Sequence, residues 1–182
     1  GLPIVVAGYE YPPPDLKEKY PNVTGVIQHF NTEGLFRLAL ALYPDTREFL
    51  ILSDSSPMSL EFERRLKAEN LNIDGVKFSF VNNADRSLKA IFNQIENLPE
   101  ESLVLLSPWR GLYGNDYQTL EAFAVDLSRF CKRPFLVSGN TMIGYGALGG
   151  YVTDPIEHGR ETAAVIREVI EKGGAESIPL VQ

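Results

Sequence analysis

The chain has 182 residues, 44% of them hydrophobic, which is enough for one domain or slightly more with a real core. Its formal net charge of −7 speaks against a phosphate-tracking surface, which needs clustered Lys and Arg, so nucleic acid is not an expected partner. No apolar run approaches the roughly 20 residues that cross a bilayer. The single cysteine, Cys131, allows no internal disulfide, and His29 and His158 fall in no ligand-spaced motif, so neither a metal nor another cofactor is expected.

The chain opens Gly1-Leu2-Pro3-Ile4 without an initiator Met and already reads as a strand over Leu2 to Gly8. It is therefore expected to be an excised segment whose targeting sequence lies upstream. A proline-rich loop, Tyr9 to Pro14, leads to a second short strand over Val23 to Gln28, then to a helix from Thr32 to Tyr43 capped by Asn31 or Thr32 and ended by Pro44. From Phe49 onward strand, loop and helix repeat. Strands are expected at Phe49 to Leu52, Val76 to Val81, Leu103 to Leu106 and Phe135 to Val137. The helices fall near Pro57 to Asn70, Ser87 to Asn97 and Tyr117 to Cys131, with apolar residues three and four apart such as Leu88, Ile91, Phe92 and Ile95. Cys131 closes the last of these and reads as a half-buried helix-end residue. This alternation predicts an α/β fold, a parallel sheet covered on both faces.

The last third is glycine-rich. Gly144 to Gly150 needs positive φ or close backbone approach and leads into a short strand at Tyr151-Val152-Thr153. The order of its glycines matches neither a phosphate loop nor a dinucleotide fingerprint. Asp154-Pro155-Ile156-Glu157 then starts a helix with an acidic cap, a proline at the first helical position and a capping-box Glu. That helix runs to Lys172 and stops at Gly173-Gly174.

Four of the strands end in small polar clusters: Ser53, Asp54, Ser55 and Ser56; Asn82 and Asn83; Ser107, Pro108, Trp109 and Arg110; and Ser138, Gly139 and Asn140. In an open parallel sheet ligands sit beyond the carboxyl ends of the strands, so these clusters are expected to form one polar ledge. Ser53, Asp54, Ser55, Asn82, Ser107, Ser138 and Asn140 would supply donors and acceptors, Trp109 and Tyr113 an aromatic surface, and Arg110 a cation for a ligand carboxylate. With Asp54 available for an ammonium group, the set suits a small polar, amino-acid-like ligand.

The segments Ile4 to Gly8, Pro21 to Val26, Leu42 to Thr46, and above all Gly146-Ala147-Leu148-Gly149-Gly150 with Asp154-Pro155 and Gly159-Arg160, resemble the ABC-transporter substrate-binding protein family. The nearest variant is the extracytoplasmic sensor domain of bacterial histidine kinases and related signalling proteins. The resemblance implies a type I periplasmic-binding-protein-like fold, two doubly wound, Rossmann- or flavodoxin-like lobes that close on ligand, in a protein of about 300 residues. On it, residues 1–31 are the end of a first lobe and its crossover, 32–140 a second lobe, and 141–182 a glycine-rich return crossing with a C-terminal helix. It further implies a non-catalytic domain on the periplasmic side of a membrane-anchored protein, handing lobe closure to a membrane signalling protein or a permease. With much of the first lobe absent, an exposed sheet edge or flank predicts self-association as a homodimer.

The rival class is an enzyme. Asp54 after an apolar strand has the position of a receiver-domain phospho-acceptor, and Ser107 that of a hydrolase nucleophile. The first lacks an acidic pair for Mg²⁺ after the first strand, and the second lacks the Gly-x-Ser-x-Gly elbow and a triad histidine.

Overall fold

The computed structural model describes residues 1–181 except 70–72, 74, 85, 108, 110, 111, 114 and 115. In chain order its elements are β1 (Ile4–Tyr9), α1 (Leu16–Lys19), β2 (Val23–Ile27), α2 (Thr32–Leu42), β3 (Glu48–Ser53), α3 (Pro57–Ala68), β4 (Lys77–Asn82) and α4 (Leu88–Glu96). They continue with β5 (Ser102–Leu106), β6 (Leu112–Tyr113), β7 (Asp116–Tyr117), α5 (Leu120–Phe130), β8 (Phe135–Val137), a single 3₁₀ turn (Asn140–Met142), α6 (Pro155–Lys172) and β9 (Leu180–Val181). The chain divides into two compact units, Gly1–Phe30 with Thr153–Gln182, and Asn31–Val152.

The first unit is a parallel sheet of order β1-β2-β9. Its central strand is buried along its whole length, and Val26 packs with Val165 and Val169 of α6 and with Ala175 and Ile178. Lys17 ties the unit together by donating to the carbonyls of Pro21 and Val23 at 2.8 Å and of Ala175 at 2.6 Å. His158 of α6 accepts the Gly8 N–H at 2.8 Å through Nε2, which fixes the end of β1. Asp154 caps α6 by accepting from Ile156 and Glu157, and Gly173, at φ 70°, ends it with the paired closing bonds of a Schellman motif.

The second unit is a parallel sheet of order β4-β3-β5-β8 covered on both faces. Strand alternation sends Leu50, Leu52, Val104, Leu106, Phe135 and Val137 to one face, where they pack with Ile91 and Ile95 of α4 and Phe123 and Leu127 of α5. Phe49, on the other face, meets Phe36 of α2 edge-on at 4.8 Å and stacks with Phe78 at 5.6 Å. Every long helix here starts on a side chain that accepts an orphan N–H: Asn31 from Gly34, Ser56 from Ser59, Ser87 from Ala90 and Thr119 from Ala122.

Several expectations need correction. Tyr151-Val152-Thr153 forms no strand. The strand-like part of the glycine stretch comes earlier, where Leu148 N–H donates to Phe135 and Val137 N–H donates to Gly149 along the edge of β8. Glycine is required there, because a Cβ at Gly150 would overlap the Val137 carbonyl oxygen. The expected capping-box role of Glu157 is replaced by an ion pair with Arg160 at 2.8 Å. Helix α5 begins at Leu120, since Thr119 caps it and Tyr117 belongs to β7. The short elements α1, β6, β7 and β9 carry too little periodicity to be read from sequence.

Candidate functional site

The strand order of the second unit reverses after β3: the chain steps outward to β4, then returns past β3 to β5 and β8. The crevice of such a sheet opens at the carboxyl ends of the two strands flanking the reversal, here β3 and β5. Register lines the polar residues up along this edge. Ser53 pairs with Asn82, and the row Leu52, Leu106, Val137 is followed at once by Ser53, Ser107 and Ser138.

Ser53 donates to Glu63 Oε2 at 2.7 Å and accepts from Asn82 Nδ2 at 3.0 Å, which also donates to the Asp54 carbonyl at 2.8 Å. Asp54 is fully buried, and its Oδ1 takes the Ser56 N–H at 3.0 Å and the Ser56 hydroxyl. Asn83, also buried, accepts the Ser55 N–H at 2.8 Å, locking the two strand ends together. Ser55 and Asn82 remain half-buried and Asn140 is exposed, whereas Ser53, Ser107 and Ser138 are buried. Ser107 N–H donates to Leu52 at 2.9 Å, so it carries the ladder one residue past β5.

Glu63 is the member of this cluster that sequence reasoning missed. It sits on α3, ten residues after Ser53, and pairs with Lys67, whose ammonium also lies 4.6 Å from the centre of the Phe80 ring. Burial pushes the Glu63 carboxyl up, but the bonds from Lys67 and Ser53, the Lys67 charge and Asn82 outweigh it and hold its pKa below the ordinary value. Its only sequence signal was position: it follows Phe62 on a helix whose inner face is Ser59, Phe62 and Leu66.

Trp109 is 4% exposed and stacks on Phe123 with centroids 3.8 Å apart and planes at 12°. Its Nε1 is buried with no hydrogen-bond partner among the described residues. As placed, the indole belongs to the apolar cluster under the ledge. Arg110 lies outside the described residues, and of Tyr113 only the backbone, in β6, is described.

The enclosure of Asp54 leaves no open carboxylate for a phosphodonor. Both histidines fall in the first unit and Ser107 in the second. Among the described residues no group of three or more His, Cys, Asp and Glu is placed to hold a metal, and no helix is long and apolar enough to cross a membrane. The ledge offers neutral donors and acceptors beside one ion pair, an arrangement suited to binding polar groups.

No protein-family profile matches the chain, and no curated protein matches it in sequence. Among solved structures it is similar to the ligand-free, open form of a substrate-binding protein with adhesive properties from Clostridium difficile, at 12% identity and a TM-score of 0.68. The match covers 88% of this chain and 52% of that one, so the chain spans about half the length of the solved protein. The fold is a periplasmic-binding-protein-like α/β fold with two parallel sheets.

Proposed function

We propose that the chain is part of a small-molecule-binding domain, non-catalytic, that takes a polar, amino-acid-like ligand at the β3–β5 ledge. The observation that supports this reading best is the reversal of strand order between β3 and β5, since Ser55, Asn82 and Ser107 follow or end strands at that edge of the sheet. The likeness to a substrate-binding protein supports the same reading. In this proposal the domain works outside the cytoplasm, as the sensor of a histidine kinase or related membrane protein or as the solute-binding partner of a permease. Ligand stabilises a closed arrangement by its differential affinity for closed over open.

A thermal-shift screen of amino acids, short peptides and organic acids tests it. A ligand at 100-fold its dissociation constant adds about 2.7 kcal/mol of stability, so a true hit raises Tm by several degrees. The shift should disappear in Arg110→Ala and shrink in Asn140→Ala. A hit that survives both changes at full strength removes the ledge as the site.

A further inference from the structure

At the opposite ends of the second unit's strands, where β3, β5 and β8 begin, a cavity of about 620 Å³ is lined by residues 42–47, 100–103 and 133–134. Because β5 lies between β3 and β8, Arg47 and Arg133, just before those two strands, flank its start about 10 Å apart along the sheet. Arg37, Arg64, Arg65, Arg129 and Arg160 each have a carboxylate within 3.3 Å. Arg47 and Arg133, like Arg86 and Arg167, have none among the described residues, but only Arg47 and Arg133 line a cavity together. Among the described residues the side chain of Arg133 donates only to the Leu98 carbonyl, at 3.3 Å. Asp45, Glu100 and Glu101 line the same cavity and are likewise without cationic partners among the described residues. Ser102, 1% exposed and part of the lining, has a buried hydroxyl with no hydrogen-bond partner, which is rare in a native structure.

We infer that this cavity is a second small-molecule site, separate from the ledge, for a zwitterion. A carboxylate or phosphate group lies between Arg47 and Arg133 and accepts from the Ser102 hydroxyl, and the ammonium end meets Asp45, Glu100 and Glu101. Guanidinium groups bind such oxyanions through paired N–H donors. Three carboxylates and two guanidiniums in one lining disfavour an anion that has no positive end.

Amide chemical-shift titration of the whole chain with γ-aminobutyrate, phosphoethanolamine and inorganic phosphate separates the cases. The expected result is saturable shifts at Thr46, Arg47 and Ser102 with at least one zwitterion, and the preferred zwitterion identifies the anionic group. Arg47→Ala, at an exposed side chain with no ion pair among the described residues, should weaken that binding about tenfold, and Ser102→Ala should weaken it too. Shifts that never saturate, that are indifferent to Arg47→Ala, or that inorganic phosphate reproduces at equal affinity would overturn the assignment. The position of the footprint separates the two sites: shifts at Thr46, Arg47 and Ser102 report this cavity, and shifts at residues 53–56, 82–84, 107 and 138–140 report the ledge.

Discussion

Glu63 and Trp109 show how single side chains set the character of the ledge. The folded pKa of Glu63 lies below the ordinary 4.5, so its contribution to stability is complete above that value and is lost as pH falls through the folded pKa. Glu63→Gln should therefore flatten the loss of stability between about pH 5 and pH 3, read from urea midpoints at each pH. At neutral pH Glu63→Ala takes the acceptor from the buried Ser53 hydroxyl, at a cost of about 1–3 kcal/mol, while the half-exposed Lys67 ammonium is hydrated. Trp109 makes a different case. Its stacked ring is buried but its N–H has no partner among the described residues, so Trp109→Phe keeps the stack, removes the orphaned donor and should change stability by less than about 1 kcal/mol. Trp109→Ala opens a cavity beside Phe123 and should cost about 3–5 kcal/mol. Equal losses in the two variants, by chemical denaturation, would contradict this placement.

Elements were legible where their signals are local. Asn31, Ser56 and Asp154 announce helix starts, because a cap needs only a side-chain oxygen two or three residues before the N–H it accepts, whereas the cap of α5, Thr119, was passed over and that helix was begun too early, at Tyr117. The four apolar runs of the second unit were likewise readable as strands, since a parallel sheet buries both faces. What depends on tertiary pairing was not legible. Glu63 joins Ser53 only once α3 folds back on β3, and β9 is two residues whose place is fixed by register with Gly25 and Val26. The glycine stretch shows both sides of this. Its need for close approach was readable, but its partner, the edge of β8, was not, and the expected strand at Tyr151 to Thr153 was misplaced as a result. Gly150→Ala should detach this stretch from Val137 and destabilise the protein by about 2 kcal/mol or more, whereas Gly159→Ala, with open space around it on α6, should be neutral or stabilising by up to about 1 kcal/mol. Thermal unfolding of the two variants side by side makes the comparison.

For the whole molecule, topology says more than composition. A chain with a net charge of −7 could present a polar strand edge anywhere, but the order β4-β3-β5-β8 singles out the ends of β3 and β5. Much of the polar inventory read from sequence is consumed in building that edge. Asp54 and Asn83 hold the β3–α3 turn, and Ser107 extends the β5 ladder. Ser55, Asn82 and Asn140 keep exposed surface for a partner. The ledge is thus a preformed wall, stiffened by bonds among its own side chains, which lowers the ordering cost of capturing a small ligand.

The central claim is that ligand binds at the carboxyl ends of β3 and β5. Amide chemical-shift mapping with the best ligand from the thermal-shift screen tests it most directly. The account predicts saturable shifts concentrated at residues 53–56, 82–84, 107 and 138–140. A saturable footprint confined to residues 43–47, 100–102 and 133–135, with the ledge unmoved, would contradict it.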